Sequence, residues 1–177
     1  MTTSAPLVFI TGASSGIGQA LAASFHDAGY RLALVARRTA EIEAWAKSRG
    51  LGADRYRVYK ADVAQTDSIV AAGNDCIAQQ GLPDVVIANA GISIGIDTAE
   101  RADLDVLSQT FATNNVGLAA TSIRSCGRWC SAAAAGWSAS AALHPSAACP
   151  ATGPTAQARP AWSRTARACA ANCTTAA

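Results

Sequence analysis

Short apolar runs alternate with stretches of helical periodicity along the first part of the chain. Residues 7–10, Leu-Val-Phe-Ile, are continuously apolar and followed by a polar turn, as expected of a strand buried on both faces of a parallel sheet. Glycines stand at 12, 16 and 18, and Ile17, Ala20, Leu21, Ser24 and Phe25 then recur at helical spacing until Gly29 supplies a stop. The same reading predicts a second strand over 31–36, a second helix over 39–49, and a third strand over 56–59. A third helix over 67–79 and a fourth strand over 84–88 follow. Strands alternating with helices predict an α/β fold, a doubly wound parallel sheet. In such sheets ligands bind beyond the carboxyl ends of the strands, which here carry Gly12, Arg37, Asp62 and Asn89.

After Thr121 the pattern stops. All twelve acidic residues precede that point, and the 56 residues from Ser122 onward hold none against five Arg. Those residues contain 19 Ala, five of the six Cys and three of the four Trp, yet no Val, Phe, Tyr or Lys. Strands draw on Val, Ile, Tyr and Phe, so this composition does not build them easily. The chain therefore divides at 1–121 and 122–177, the second part expected to lack strand pairing.

The whole chain, 177 residues with half of them apolar and 15% charged, has the size and composition of one globular domain. A net charge of +2 gives no argument for nucleic acid or a membrane surface as partner. The apolar run at 7–10 is far short of a signal-peptide core, and no stretch approaches a membrane span, so a cytoplasmic location is expected.

Glycines without Cβ let the backbone turn tightly and approach a pyrophosphate closely. Free N–H groups and the dipole at the following helix start favour the anion, and Ser14 and Ser15 add hydroxyl donors. The alternative is a plain tight turn before a core helix. Arg37 and Arg38 bear on which nucleotide is bound. An acid at the end of the second strand would accept hydrogen bonds from the ribose hydroxyls of NAD and repel a 2′-phosphate. Here Ala36 occupies that position and two guanidiniums follow, which suits the phosphate of NADP better than NAD. A solvated arginine pair is the plainer reading.

The glycine spacing is Gly-x-x-x-Gly-x-Gly. With Asp62-Val63, Asn89-Ala90-Gly91 and Asn114-Asn115-Val116-Gly117, all in order within about 110 residues, the chain resembles the short-chain dehydrogenase/reductase family. The resemblance implies a Rossmann-type sheet and hydride transfer between NADP(H) and a small carbonyl or alcohol substrate. It implies cofactor binding by Gly12, Ser14, Ser15, Gly16, Ile17, Gly18, Arg37, Arg38, Asp62, Val63, Asn89, Ala90 and Gly91. It implies that Asp62-Val63 lies beside the adenine and that Asn89 to Gly91 closes over the cofactor and steadies the sheet. Asn114 corresponds to a catalytic asparagine holding a water in a proton relay from inside a helix. Its neighbour Asn115 fits the family's Asn-x-x-Gly less well, and a helix-surface role for both amides is the plain alternative. A homo-oligomer is implied for a complete member, not for this chain.

The family's reaction also needs a Ser that positions the carbonyl and a Tyr-x-x-x-Lys, in which Tyr is the acid/base and Lys lowers its pKa. After Thr121 there is neither Tyr nor Lys; Tyr30 and Tyr59 have no Lys four residues on, and Tyr56, which has Lys60, lies in the predicted third strand of the cofactor half. As written, the chain lacks its acid/base. Cys126, Cys130, Cys169 and Cys173, with His144 between, have loosely zinc-like spacing but no apolar frame for a small zinc fold, and no metal site is expected.

A shifted reading frame accounts for the composition, because GC-rich DNA read out of frame yields Ala, Arg, Pro, Cys, Trp and Ser with few acids. One base upstream, codons for residues 136–142 permit Arg-Leu-Val-Gly-Ile-Gly-Ser, which looks like the family's fifth strand and its serine. The same shift over 154–159 permits Tyr-Cys-Ala-Ser-Lys, about thirteen positions later, as the family spaces them. Loss of one T would turn Thr-Phe-His-Pro-Phe into the observed residues 121–125. Three functions stay open: an NADP-dependent reductase inactive as written, a non-catalytic NADP-binding regulator, or a product without function.

Overall fold

The structure, a computed structural model, describes residues 5–97 and 99–122. Strand β1 spans Leu7–Thr11, helix α1 Gly16–Asp27, β2 Arg31–Ala36 and α2 Thr39–Ser48. Strand β3 spans Tyr56–Lys60, α3 Thr66–Gln80, β4 Val85–Ile87 and α4 Asp103–Phe111. A π-turn, Ala112–Val116, continues α4, and residues 117–122 are helical.

The four strands form a parallel sheet in the order β3-β2-β1-β4. The fold is therefore α/β and Rossmann-like, as the alternating pattern predicts. β1 lies between β2 and β4 and is buried at every position, which is why its sequence is a continuous apolar run and not an alternating one. Its residues alternate between two cores. Leu7 and Phe9 pack with Ala33, Val35, Ile69, Ala72 and Ala120 on one face. Val8 and Ile10 pack with Leu32, Leu34, Ala22 and Ile42 on the other. Helices α1 and α2 thus cover one face, and α3 with the segment after α4 covers the other.

Strand and helix ends differ from the pattern reading by a residue or two, each for a local reason. β4 is shorter than predicted because both neighbours of Val85–Ile87 turn aside. The Asp84 N–H donates to the Leu7 carbonyl at 2.8 Å while the Leu7 N–H donates to the Asp84 carboxylate at 2.7 Å. At the other end the Asn89 N–H bends back to the Ile87 carbonyl at 3.0 Å. Helix α3 stops at Gly81, whose φ of 97° only glycine adopts cheaply.

Beneath β3, Cys76 of α3 is fully buried next to Tyr59, whose hydroxyl donates to the Gln80 side chain at 3.0 Å. Burial, the largest cause in each case, pushes the Cys76 thiol up to about 11 and raises the Tyr59 phenol as well.

Candidate cofactor site

A cleft of about 470 Å³ opens at the carboxyl ends of the strands. Every residue predicted from sequence to bind the cofactor lines it except Gly18. Asn114 does not line it either. Each position has a traceable cause.

Gly12 and Gly16, with φ of 70° and 55°, turn the chain from β1 into α1. Gly12 also has no room for a side chain, since a Cβ there would lie 2.9 Å from both the Ala90 Cα and the Asn89 Nδ2. Gly18 works differently: its Cβ would run into the Gly12 carbonyl, so it lets the first turn of α1 lie against the loop. Around Gly16 there is nothing within 4 Å, which leaves bare backbone facing the cleft. No side chain caps α1, whose N-cap is Ser15. Ser14 is fixed through its carbonyl, which accepts from the Gln19 amide at 2.8 Å.

The 89–91 segment is tied to this loop by Thr11, a residue the sequence reading does not single out. The Thr11 hydroxyl accepts the N–H groups of Asn89 and Ala90, both at 3.1 Å, and donates to the Ile87 carbonyl at 3.5 Å. The Asn89 side-chain amide donates to the Thr11 and Gly12 carbonyls at 3.1 and 3.3 Å. Two side chains thus lock the end of β4 to the end of β1.

Asn114 sits on the π-turn and not on an ordinary helix surface. Its Oδ1 accepts the Ile92 N–H at 2.9 Å, and its Nδ2 donates to the Ile92 carbonyl at 2.7 Å. One turn on, Gly117 presses against the Val63 carbonyl with no space for a Cβ. The Asn-x-x-Gly spacing therefore joins two contacts: Gly117 brings the helix onto the loop after β3, and Asn114 grips the segment after β4. From the same helical stretch Gln109 and Thr113 also line the cleft, together with Ile92 and Ile94.

At the β2 end, Arg37 faces Asp62 at 3.8 Å, with 66% of the arginine side chain exposed. Asp62 is itself fixed, since its carboxylate accepts the Ala64 N–H at 3.0 Å and its N–H donates to the Ser68 hydroxyl at 3.1 Å. Arg38 is engaged by Glu41 at 3.0 Å. Val63 divides its role, side chain in the core and backbone at the cleft and at Gly117. Among the described residues no three or more His, Cys, Asp or Glu gather as metal ligands, and no helix is long and apolar enough to cross a membrane. The zinc-like cysteines, His144, the expected structure of the second part and the shifted-frame segments all lie outside the described residues.

The cleft suits a nicotinamide dinucleotide on three counts: bare backbone at Gly16, an uncapped helix start, and a guanidinium at the β2 end. Comparison with known proteins agrees. A Drosophila melanogaster protein described as dehydrogenase/reductase SDR family protein 7-like is 38% identical over 115 residues, covering 63% of this chain and 35% of its own. An NADP-dependent 3-hydroxy acid dehydrogenase of Salmonella typhi is 28% identical, over 63% of this chain and 44% of its own. The solved alcohol dehydrogenase of Thermococcus sibiricus, complexed with 5-hydroxy-NADP, superposes with a TM-score of 0.66 at 26% identity. That match covers 72% of this chain and 55% of that one. The chain thus spans less than half the length of each of these two curated relatives. The model of the short chain dehydrogenase family matches residues 6–126, and this chain belongs to that family.

Proposed function

We propose that residues 7–117 form the NADP(H)-binding half of a reductase that interconverts small carbonyl and alcohol substrates. The observation that carries the cofactor choice is the Arg37–Asp62 pair. At 3.8 Å and largely exposed, this pair contributes little to stability. Its guanidinium is therefore available to a 2′-phosphate, whereas Arg38 has a closer partner in Glu41. That a 3-hydroxy acid dehydrogenase among the relatives is NADP-dependent supports the same choice.

NADPH bound in the cleft would supply a hydride to a carbonyl carbon. The chain's own part is to bind and orient. Backbone at Gly12 to Gly18 and the start of α1 receive the pyrophosphate. Asp62 and Val63 border the adenine side. Asn89, held by Thr11, keeps the 89–91 segment against the cleft. A proton must also reach the substrate oxygen, and among the described residues no Tyr and no Lys lines the cleft. For that reason the chain as written binds cofactor without turnover, and a non-catalytic NADP-binding role is the second reading. Neither reading calls for nucleic acid, a membrane or self-association as a partner of this chain.

Calorimetric titration of the 177-residue chain tests the cofactor half. NADP should bind at least about tenfold tighter than NAD, the effect of one charge-assisted hydrogen bond. Equal affinities would remove the role given to Arg37.

A further inference from the structure

Among the described residues β4 is paired on one side alone. Its inner side pairs with β1 from Val85 to Ile87, and among the described residues its outer side pairs with no strand. Val85 and Val86 are only half-buried, in contrast to the fully buried Val8 beside them. Helix α4 and its continuation follow β4. In parallel α/β sheets a right-handed crossover returns such a helix to a strand beside the one it left. The residues after Thr121 offer no Val, Phe or Tyr for that strand.

We infer that the partner of the β4 edge is encoded in the DNA of this chain, one base upstream of the frame in which residues after Thr121 are read. Cysteine and tryptophan codons all begin TG, so one base upstream each becomes a codon ending in TG, which encodes Leu, Met or Val. All five cysteines and all three tryptophans after Thr121 convert in this way. The tryptophan codon ends in G, so Trp129-Cys130 must become an apolar residue followed by Val. Trp137-Ser138 becomes an apolar residue followed by Val or Glu, the start of the Leu-Val-Gly-Ile run noted above. A sequence without Val, Phe or Tyr thus hides apolar pairs at fixed places, and no stop codon is forced between them.

The occupant of the β4 edge is then a short apolar strand centred on codons 137–140, following the helical stretch that reaches residue 122. Its pairing would satisfy the N–H and C=O groups that β4 turns away from β1. The inference extends the proposed reaction, since it also supplies that reaction's missing Tyr and Lys, but its structural part stands apart from catalysis.

The test has two stages. Sequencing the gene and its transcript should show third bases that give Val at codon 138 and a continuous open frame through the Tyr-Cys-Ala-Ser-Lys segment. A stop in that frame, or Glu at 138, overturns the inference. Restoring one T after the Thr121 codon should then yield a protein whose β4 amides exchange at least about tenfold more slowly than in the chain as written. Adding two bases instead, as a control, should give no such protection. Unchanged β4 exchange in the restored protein overturns the strand assignment. Protected β4 amides without NADPH oxidation across a panel of aldehydes and ketones would leave the strand standing and sink the proposed reaction alone.

Discussion

Asn114 holds Ile92 by both of its main-chain groups, the N–H at 2.9 Å and the carbonyl at 2.7 Å. An asparagine side chain offers one acceptor and one donor of the right span, and no other residue of its size offers both uncharged. The clasp joins the π-turn to the segment that leaves β4. It also brings the Asn114 Oδ1 within 3.2 Å of where a Cβ of Gly91 would sit, so Gly91 has little room to change.

Replacing Asn114 with Ala should lower stability by about 1–3 kcal/mol, the cost of leaving two part-buried backbone groups unpaired. Asn114→Asp keeps the acceptor but sets a carboxylate against the Ile92 carbonyl. At pH 7 it should be less stable than Asn114→Ala, and the difference between the two should shrink as the pH falls below about 4. Urea unfolding of both variants at the two pH values decides this. Equal stability of wild type and Asn114→Ala would mean that the clasp carries no load.

The cofactor-loop glycines should separate by cause. Gly16→Ala meets only the left-handed backbone penalty of about 1–2 kcal/mol, because nothing lies within 4 Å of the new methyl. Gly12→Ala meets that penalty and also a contact with the Ala90 backbone at 2.9 Å, so it should be clearly the more destabilising. Thermal unfolding of the two proteins gives the order. The reverse order would contradict the loop geometry.

Arg37→Asp should weaken NADP binding by about 1.5–3 kcal/mol, or roughly tenfold to a hundredfold, and NAD binding much less. The substitution removes a phosphate partner and places a second carboxylate beside Asp62. Arg38→Ala should have the smaller effect, since Arg38 is already engaged with Glu41. Calorimetry on the wild type and the two variants reads the difference directly.

Alkaline pH should destabilise the fold through Cys76 and Tyr59. Burial lifts the Cys76 thiol from 9.0 to about 11, so between these values the unfolded chain has released a proton that the folded chain still holds. Stability is then fully present below pH ~9 and is lost as the pH rises through 11. Tyr59, raised in the same direction, extends the loss to higher pH. Cys76→Ala should start from a lower stability but decline less steeply between pH 9 and 11. Parallel decline in urea midpoints would exclude the thiol as a source.

Much of this was legible in the sequence, and the exceptions have physical reasons. β1 and β2 announce themselves because strands buried on both faces need apolar residues at every position. β3 runs one residue further than its apolar pattern, to Lys60, since an edge strand tolerates polar residues while its backbone still pairs with Ala36. No periodicity places α4, because Leu104 and Phe111 on it are exposed and the usual inward stripe is incomplete. The π-turn is set by Gly117 against Val63 and Asn114 against Ile92, contacts far apart in sequence. Thr11 escapes a local reading for the same reason: the partners of its hydroxyl, Ile87, Asn89 and Ala90, lie 76 to 79 positions away.

The central place of β1 has a consequence for synthesis. β1 leaves the ribosome before both of its neighbours, β2 and β4. Ile10 finds its partner Leu34 early, but its partner on the other side, Ile87, is made 77 residues later. At about 5–20 residues per second, that interval is roughly 4–15 s. Through it a strand buried at every position in the fold keeps one flank bare. A chaperone that shields residues 7–11 during translation should therefore raise the yield of folded chain more than one acting after release.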